Sequence, residues 1–273
     1  MTGEAPRLAA LPMYDLPELQ EANDILWAGV AARLGAAGIG RVPRRLTRGE
    51  PADRIWTHPD LLLAQTCGYP LTTSLRERVS LVATPRYRAM GCDGPRHRSA
   101  VIVRTGFPGG ALADLRGARY AINQLTSNTG MNLLRYEIAS LAGGESYFQS
   151  ILVTGAHVAS VEAVASGEAD VASIDCVTWA HLQRLRPAAV RGLRVLGWTV
   201  TSPALPMITS ILTPHTQRAI LADALADLMH DPALREARAE LLLDGFSQLT
   251  PSDYEAILNL EAFAIGKGYP VLR

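Results

Sequence analysis

The sequence predicts an α/β protein with two lobes, and three observations support this prediction. Segments typical of buried strands alternate with segments of helical periodicity along most of the chain, which favours sheets layered with helices. A glycine- and proline-rich segment over residues 106–110 breaks this alternation, and Pro203 and Pro206 break it again. The block between the breaks is expected to be an insertion. The predicted lobes are residues 1–103 with 204–273, and residues 104–203.

Short apolar runs and one long helical segment define the first predicted lobe. A strand is expected over residues 7–13, followed by a helix over 18–37 that Gly38 and Gly40 end. Further strands are expected over 42–47, 60–65, 79–83 and 100–103. The tail after Pro214 is expected to form helices over 216–229, 232–243 and 254–265.

The inserted block repeats the alternation of strands and helices. Strands are expected over 119–123, 149–153, 169–174 and 194–200, and helices over 129–141, 157–166 and 176–185. The chain would then cross twice between the lobes. Two crossings would form a hinge, which is a common way to build a cleft that closes.

Charge and composition limit the classes of partner. The chain has 26 Lys and Arg against 26 Asp and Glu, so its formal net charge is zero. A nucleic-acid binder needs a basic surface to neutralise phosphates, and we therefore expect no nucleic-acid partner. Zero net charge also provides no general attraction for anions. Any affinity for an anion must come from a local site.

The location of the protein depends on how its N-terminus is interpreted. No apolar run approaches the roughly 18 residues typical of a membrane span. The apolar stretch over residues 8–13 is too short for a signal-peptide core and follows acidic Glu4. As written, the sequence predicts a cytoplasmic protein. A processed form of an exported chain would look similar and would be periplasmic.

The three cysteines, Cys67, Cys92 and Cys176, form no CxxC pair and no metal-ligand spacing with histidine. We predict neither a metal site nor a cofactor. A disulfide between Cys67 and Cys92 is possible but cannot be deduced from the sequence. In a reducing cytoplasm all three residues are expected to be thiols.

The segment over residues 123–132 is the most informative for function. It follows a predicted strand and opens a predicted helix, so Ser127, Asn128 and Thr129 lie where backbone N–H groups lack intrahelical acceptors. Such a helix start suits phosphate, phosphonate, sulfate or carboxylate. The alternative is ordinary N-capping, for which these residue types are also favoured.

Two further residues follow predicted strands in the inserted block. His157, at the start of a helix, could donate to a ligand anion or could be a partly solvated residue without a role. Asp175 ends an apolar strand, at the position where ligands gather in α/β sheets. It could bind a ligand amine or cap the following helix. Trp179, one turn later, could line a cleft or belong to the core.

The first predicted lobe offers polar and aromatic groups in equivalent positions. Gln65 and Tyr69 follow the strand over 60–65, and Tyr14 follows the opening strand. They could line a cleft, or the segment after Gln65 could be a structural turn. Motifs for catalysis are lacking: the sequence has no GxSxG elbow, no phosphate-binding loop and no GxGxxG. We predict no catalytic residues.

Four segments together resemble a known family. They are residues 60–70, residues 91–103, the helix start Ser127-Asn-Thr-Gly130 and residues 155–175. In this order they resemble the phosphate/phosphonate-type substrate-binding proteins of ABC transporters. The resemblance implies a type 2 periplasmic-binding-protein-like fold, with two α/β lobes, two hinge crossovers and a ligand cleft at the hinge.

The resemblance also implies roles for particular residues. Ser127, Asn128 and Thr129 would hold the anionic head of a phosphate, phosphonate or related oxyanion or carboxylate compound, although Asn128 stands where the family has a hydroxyl. His157 would add a donor, and Asp175 lies where phosphonate binders place groups for a ligand amine. The opposite wall would contain Tyr14, Gln65 and Tyr69. The implied partners are the small anion and an ABC permease, with the protein a monomer or dimer.

Two other functions remain as alternatives. The same fold could support a cytoplasmic enzyme, for example in thiamine-precursor or menaquinone biosynthesis, because function does not follow from fold. It could also support a cytoplasmic ligand sensor, although no DNA-binding helix-turn-helix is apparent. The solute-binding function is the favoured hypothesis.

Overall fold

A computed structural model describes residues 5–273 of the chain. The described residues fold into two compact units, the first made of residues 5–88 with 204–253 and the second of 89–203 with 254–273. The sequence predicted that the first boundary between the lobes lies at 103/104, and it placed the whole C-terminal tail in the first lobe. In the structure the second unit begins earlier and also takes the last helix and the C-terminus. The chain therefore passes between the units three times rather than twice.

Twelve strands and ten α-helices are distributed along residues 5–273. The strands are β1 (Leu8–Ala10), β2 (Leu61–Gln65), β3 (Val79–Tyr87), β4 (Arg96–His97), β5 (Ser99–Arg104), β6 (Arg119–Ile122), β7 (Ser150–Val153), β8 (Val171–Asp175), β9 (Leu193–Trp198), β10 (Ser202–Pro203), β11 (Met207–Ser210) and β12 (Leu243–Ser247). The helices are α1 (Gln20–Ala36), α2 (Ala52–Trp56), α3 (Gly68–Thr72), α4 (Leu133–Ala142), α5 (His157–Ser166), α6 (Cys176–Leu185), α7 (Pro187–Val190), α8 (His215–Asp227), α9 (Arg235–Glu240) and α10 (Pro251–Gly266). None of the helices within residues 5–273 is both long enough and apolar enough to cross a bilayer.

The first unit is built on a five-stranded sheet with the order β1-β2-β11-β3-β12. All five residues of β2 are buried, because this strand lies inside the sheet and its apolar run is covered on both faces. β1 pairs with β2 in parallel, and β11 runs antiparallel to both β2 and β3. Consequently β1, β2 and β3 run in the same direction, and their carboxyl ends share one edge of the sheet.

The second unit is built on a sheet with the order β7-β6-β8-β5-β9. Its central strands β8 and β5 are apolar and buried for almost their whole length. β6 pairs in parallel with both β7 and β8, whereas β5 runs antiparallel to β8 and β9. The sequence placed the strand over 100–103 in the first lobe. Its pairing with β8 and β9 instead makes it part of the second unit.

The predicted strand over residues 42–47 is wrong, because this segment forms neither strand nor helix. Pro43 has no N–H to give to a sheet, and its carbonyl accepts a hydrogen bond from Nε1 of Trp27 at 3.0 Å. Only one backbone bond connects the segment with β1, from the N–H of Thr47 to the carbonyl of Ala9 at 2.7 Å. The apolar residues of 42–47 therefore cover the sheet without extending it.

The predicted helix over residues 232–243 is wrong in its last three residues. A 3-10 turn over Pro232–Leu234 leads into α9, which ends at Glu240. Leu242 then adopts a positive φ of 55°, which turns the chain away from the helix. Leu243 begins β12, an edge strand that runs antiparallel to β3.

Candidate functional site

Three parallel strands bring the predicted residues of the second unit to one edge of its sheet. β6 ends at Ile122 and leads to the helix start at Ser127. β7 ends at Val153 and leads to His157, the first residue of α5, and β8 ends at Asp175 itself. Since these strands are parallel, all three connections lie at the same edge, where ligands gather in α/β sheets. We call this edge, with Ser127, Asn128, Thr129, His157 and Asp175, the carboxyl edge of the second unit.

Ser127 is the N-cap of the helix that leads into α4. Its Oγ accepts a hydrogen bond from the backbone N–H of Gly130 at 2.9 Å. The capping role that the sequence allowed is therefore present in the structure. A single cap satisfies one of the four N–H groups that a helix start leaves without intrahelical acceptors. The remaining groups keep the helix start electropositive.

The helix start is a π turn over Asn128–Asn132, held by side chains from the sheet. The carbonyl of Thr129 accepts hydrogen bonds from Oγ of Ser99 at 2.8 Å and from Oγ of Ser173 at 2.7 Å. The hydroxyl of Tyr120 donates to the carbonyl of Gly130. A π turn displaces carbonyls from the usual α-helical pattern. Here Ser99, Ser173 and Tyr120 satisfy two of those carbonyls and fix the turn against the sheet.

Gly130 is required at this turn because there is no space for a side chain. A Cβ at residue 130 would lie 1.8 Å from Oδ1 of Asn123, far inside any van der Waals contact. Oδ1 of Asn123 is itself buried without a hydrogen-bond partner. Asn123, in the loop after β6, thus lies so close to the helix start that only a glycine fits at residue 130.

Asn128 is fixed by a chain of buried polar contacts. Its Nδ2 donates to Oγ of Ser202 at 2.8 Å, and its Oδ1 accepts from Nδ2 of Asn132 at 3.2 Å. Oδ1 of Asn132 in turn accepts from the guanidinium of Arg135 at 2.7 Å. These contacts determine which end of the Asn128 amide faces Ser202. The side chain is therefore positioned before any ligand arrives.

Thr129 and His157 contact each other across the carboxyl edge. Oγ1 of Thr129 lies 3.0 Å from Nε2 of His157. Nδ1 of His157 is buried and has no hydrogen-bond partner. The pKa of His157 is lowered to about 4, chiefly by burial; Asp175 acts in the opposite direction, and the His97 ring adds to the lowering. His157 is therefore neutral at pH 7, with one nitrogen available as a donor and the other as an acceptor.

Asp175 caps α6 and also contacts a histidine. Its Oδ1 accepts from the backbone N–H groups of Val177 and Thr178 at 2.9 and 3.0 Å. Its Oδ2 lies 3.0 Å from Nδ1 of His97, and both side chains are buried. Burial alone would raise the pKa of Asp175. The His97 contact and the neighbouring donors outweigh burial and hold that pKa below its usual value.

The predicted residues of the first unit also meet at a carboxyl edge. Tyr14 follows β1, Gln65 ends β2, and Tyr87 ends β3. The rings of Tyr14 and Tyr87 pack edge to face, with 5.1 Å between centroids and 83° between planes. Nε2 of Gln65 donates to the Tyr87 hydroxyl at 3.0 Å. These three side chains form what we call the aromatic edge of the first unit.

Tyr69 lies close to this region in sequence, in the short helix α3 and half-buried. The hydroxyls of Thr72 and Thr73 both donate to its backbone carbonyl. The segment after Gln65 is thus a one-turn helix rather than an open loop. Trp179, in the first turn of α6, is buried, as the core alternative predicted.

Sequence reasoning missed five residues of these two edges, namely Tyr87, His97, Ser99, Ser173 and Ser202. Tyr87 was missed because β3 was predicted to end at residue 83, four residues too early. His97 lies in a two-residue strand that pairs with β10, too short to produce a pattern. Ser173 could have been found, because it interrupts a run of buried apolar residues, and Ser99 directly precedes such a run. A buried hydroxyl in such a strand needs a partner.

Comparisons with known proteins agree with this architecture. The family model described as "ABC transporter, phosphonate, periplasmic substrate-binding protein" matches residues 59–254. Comparison with the curated proteins finds no match. The family match includes both carboxyl edges apart from Tyr14.

Solved structures resemble the whole chain. A binding protein component of an ABC phosphonate transporter from Pseudomonas aeruginosa has 15% identity and a TM-score of 0.79, over 97% of this chain and 88% of that one. PhnD1 from Prochlorococcus marinus, in complex with methylphosphonate, has 14% identity and a TM-score of 0.74, over 97% and 99%. XAC2383 from Xanthomonas citri, bound to ATP, has 18% identity and a TM-score of 0.71, over 95% and 97%. At these identities the likeness establishes the fold. Together with the family match over most of the length, it leads to one conclusion: the chain belongs to the family of phosphonate-type periplasmic substrate-binding proteins of ABC transporters.

Proposed function

We propose that this protein binds a small phosphonate or a related oxyanion and presents it to an ABC permease, with the anionic head held at the carboxyl edge of the second unit. The observation that carries the proposal is the convergence of the Ser127–Thr129 helix start and His157 at one edge of three parallel strands. The similar structure from Prochlorococcus marinus contains methylphosphonate. We therefore take methylphosphonate as the first ligand to test.

Neutral donors would hold the anion at this edge. The pKa of His157 is lowered to about 4, so the ring contributes a hydrogen bond and no charge at pH 7. The helix dipole adds about 0.3–2 kcal/mol. A hydrogen bond to a charged group contributes about 1.5–3 kcal/mol. Three or four such donors therefore reach the binding free energy of about 8 kcal/mol that corresponds to micromolar affinity.

The roles of the remaining predicted residues belong to the same proposal. Asp175 would orient the edge through its contacts with α6 and His97, and would receive a ligand amine where one is present. Tyr14, Gln65 and Tyr69 stay proposed ligand contacts of the first unit, with Tyr87 added. Closure of two lobes around the ligand, which the resemblance implies, also stays a prediction.

The location follows the family rather than the N-terminal pattern. The family is periplasmic, and we propose that this protein also acts outside the cytoplasm. The cytoplasmic expectation has no support from the family. The enzyme and sensor alternatives are not favoured, because the family consists of substrate-binding proteins.

Isothermal titration calorimetry tests the ligand class directly. The panel contains methylphosphonate, inorganic phosphate, sulfate, ethanesulfonate and adipate at pH 7. We expect saturable heat with one stoichiometric site for at least one phosphorus oxyanion, and weaker binding of adipate. Ligand recovered chemically unchanged after long incubation would support binding without turnover. A panel that produces neither heat nor a thermal shift would contradict the proposal.

A further inference from the structure

Two cysteines that are far apart in the sequence lie side by side in the second unit. Sγ of Cys92 is 3.4 Å from Sγ of Cys176. The sequence had suggested only Cys67 as a partner for Cys92. The three cysteines are not joined by a disulfide in this structure, and Cys67 belongs to the first unit.

The backbone around Cys92 is built for a close approach to Cys176. Gly91, the residue before Cys92, has a φ of +101°, a conformation that side chains disfavour. A Cβ at residue 91 would lie 2.9 Å from Cβ of Cys176 and 2.9 Å from the Trp198 ring. Only glycine allows the backbone at residue 91 to lie this close to Cys176 and Trp198. Cys176 is fixed in turn as the first residue of α6, with its N–H bonded to the carbonyl of Arg98 at 3.2 Å.

The two thiols differ in access to solvent. Cys176 is buried, whereas Cys92 is half-buried in the turn before β4. The contact with Cys92, burial and the adjacent Asp175 all raise the pKa of the Cys176 thiol. Cys92 is consequently the sulfur that a reagent reaches first.

We propose that Cys92 and Cys176 form a disulfide when the protein meets a disulfide-bearing oxidant, and that this bridge joins the turn before β4 to the start of α6. The sulfurs must approach from 3.4 Å to about 2.05 Å. The turn around Cys92 is surface-exposed at Asp93 and Gly94 and lies outside the five-stranded sheet. Oxidising compartments outside the cytoplasm supply such oxidants.

Disulfide exchange with the oxidant proceeds in two steps. The Cys92 thiolate attacks the disulfide of the oxidant, which forms a mixed disulfide and releases one oxidant thiolate. The Cys176 thiol loses its proton and attacks Sγ of Cys92, which releases the second oxidant sulfur. Two protein thiols become one disulfide, and the oxidant disulfide gains two electrons and both protons to become two thiols.

The bridge affects the proposed ligand site through neighbouring residues. Asp175 precedes Cys176 and contacts His97, while Cys92 lies in the turn that leads to His97. A covalent connection at 92–176 would therefore restrain the Asp175–His97 pair from both sides. The capacity to form the bridge does not depend on the ligand proposed above, so the two proposals fail independently.

The experiment uses the full chain, reduced with dithiothreitol and then exposed to oxidised glutathione. Thiols are counted after denaturation, and the bridge is located by mass spectrometry of non-reduced peptides. We expect two of three thiols to disappear, a peptide pair joined through Cys92 and Cys176, and full alkylation of Cys67. The melting temperature of the oxidised form should exceed that of the reduced form by about 5–15 °C, since the bridge closes a long loop.

Two variants serve as controls. Cys67→Ser should retain the loss of two thiols and the thermal shift, whereas Cys92→Ser should lose both. Three reactive thiols after oxidation, a bridge that includes Cys67, or glutathione adducts without an internal bridge would each overturn the proposal. Titration of methylphosphonate into both redox forms reports on the ligand site separately.

Discussion

The hydroxyl of Thr129 lies 3.0 Å from Nε2 of His157, and this contact joins two of the three connections at the carboxyl edge of the second unit. Thr129 belongs to the helix start after β6, and His157 opens α5 after β7. The two side chains share this hydrogen bond, and the tautomer of His157 determines whether Oγ1 of Thr129 or Nε2 of His157 donates.

Replacement of Thr129 by valine should weaken ligand binding. The change preserves shape but removes the hydroxyl that contacts His157, and leaves a buried imidazole nitrogen without a partner. We expect the Kd for methylphosphonate to rise about 10- to 100-fold, measured by calorimetry. Thr216→Val, at an exposed position of α8, is the matched control and should leave the Kd unchanged. Equal Kd values for the two variants would remove Thr129 from the site.

Substitution of Gly130 by alanine should destabilise the second unit. The new Cβ would lie 1.8 Å from Oδ1 of Asn123, so the π turn or the loop after β6 has to move. We expect a loss of about 2–4 kcal/mol in unfolding free energy, measured by urea denaturation. The double variant Gly130→Ala, Asn123→Ala should recover part of the loss. Gly35→Ala in α1, where a Cβ meets nothing within 4 Å, should be neutral or slightly stabilising.

Removal of the Asp175 carboxylate should cost more than removal of a less buried cap. Asp175 is buried, accepts two backbone N–H bonds and contacts His97. Asp175→Ala should lower the unfolding free energy by about 3–5 kcal/mol, as for a buried pair that loses one partner. Asp231→Ala removes a half-buried carboxylate that accepts a backbone N–H bond from Ala233 and pairs with Arg33 at 2.9 Å, and should cost less. A loss as large as that of Asp175→Ala would show that burial and the His97 contact add nothing.

Stability should decrease as the pH falls from 6.5 towards 4. The pKa of His157 and that of His181 are both lowered to about 4, in each case chiefly by burial. Between pH 4 and 6.5 the unfolded chain therefore binds more protons than the folded chain, so acidification favours unfolding. The contribution of these histidines is complete above pH 6.5 and is lost as the pH falls through that window. His181→Gln should flatten the stability profile in this range, measured by chemical denaturation; exposed His215→Gln should not.

The sequence predicted the middle of the second unit well. α5 and α6 have the predicted bounds, because Gly167 ends one helix and Asp175 caps the other. Both signals are local, and both report on backbone hydrogen bonds. The candidate residues after β6, β7 and β8 also lie together as expected, since the order of parallel strands determines which connections share an edge.

The prediction failed where long-range pairing determines the structure. β12 contains Asp244 and Gly245, which are unfavourable in strands, and it exists because β3 offers a free edge. The strand over 100–103 was identified, but its unit was not, because its partners are 68 or more residues away in β8 and β9. The Cys92–Cys176 contact was missed for the same reason: no spacing in the sequence relates residues 84 positions apart.

Residues 254–273 complete the second unit from a distant part of the sequence. The carbonyl of Arg273 accepts hydrogen bonds from the N–H groups of Tyr147 and Phe148, and α10 holds Asn132 through the carbonyl of Ile257. The second unit therefore depends on contacts between segments 125 residues apart, such as Asn132 and Ile257. A helix that is distant in the sequence thus helps to fix the helix start of the carboxyl edge.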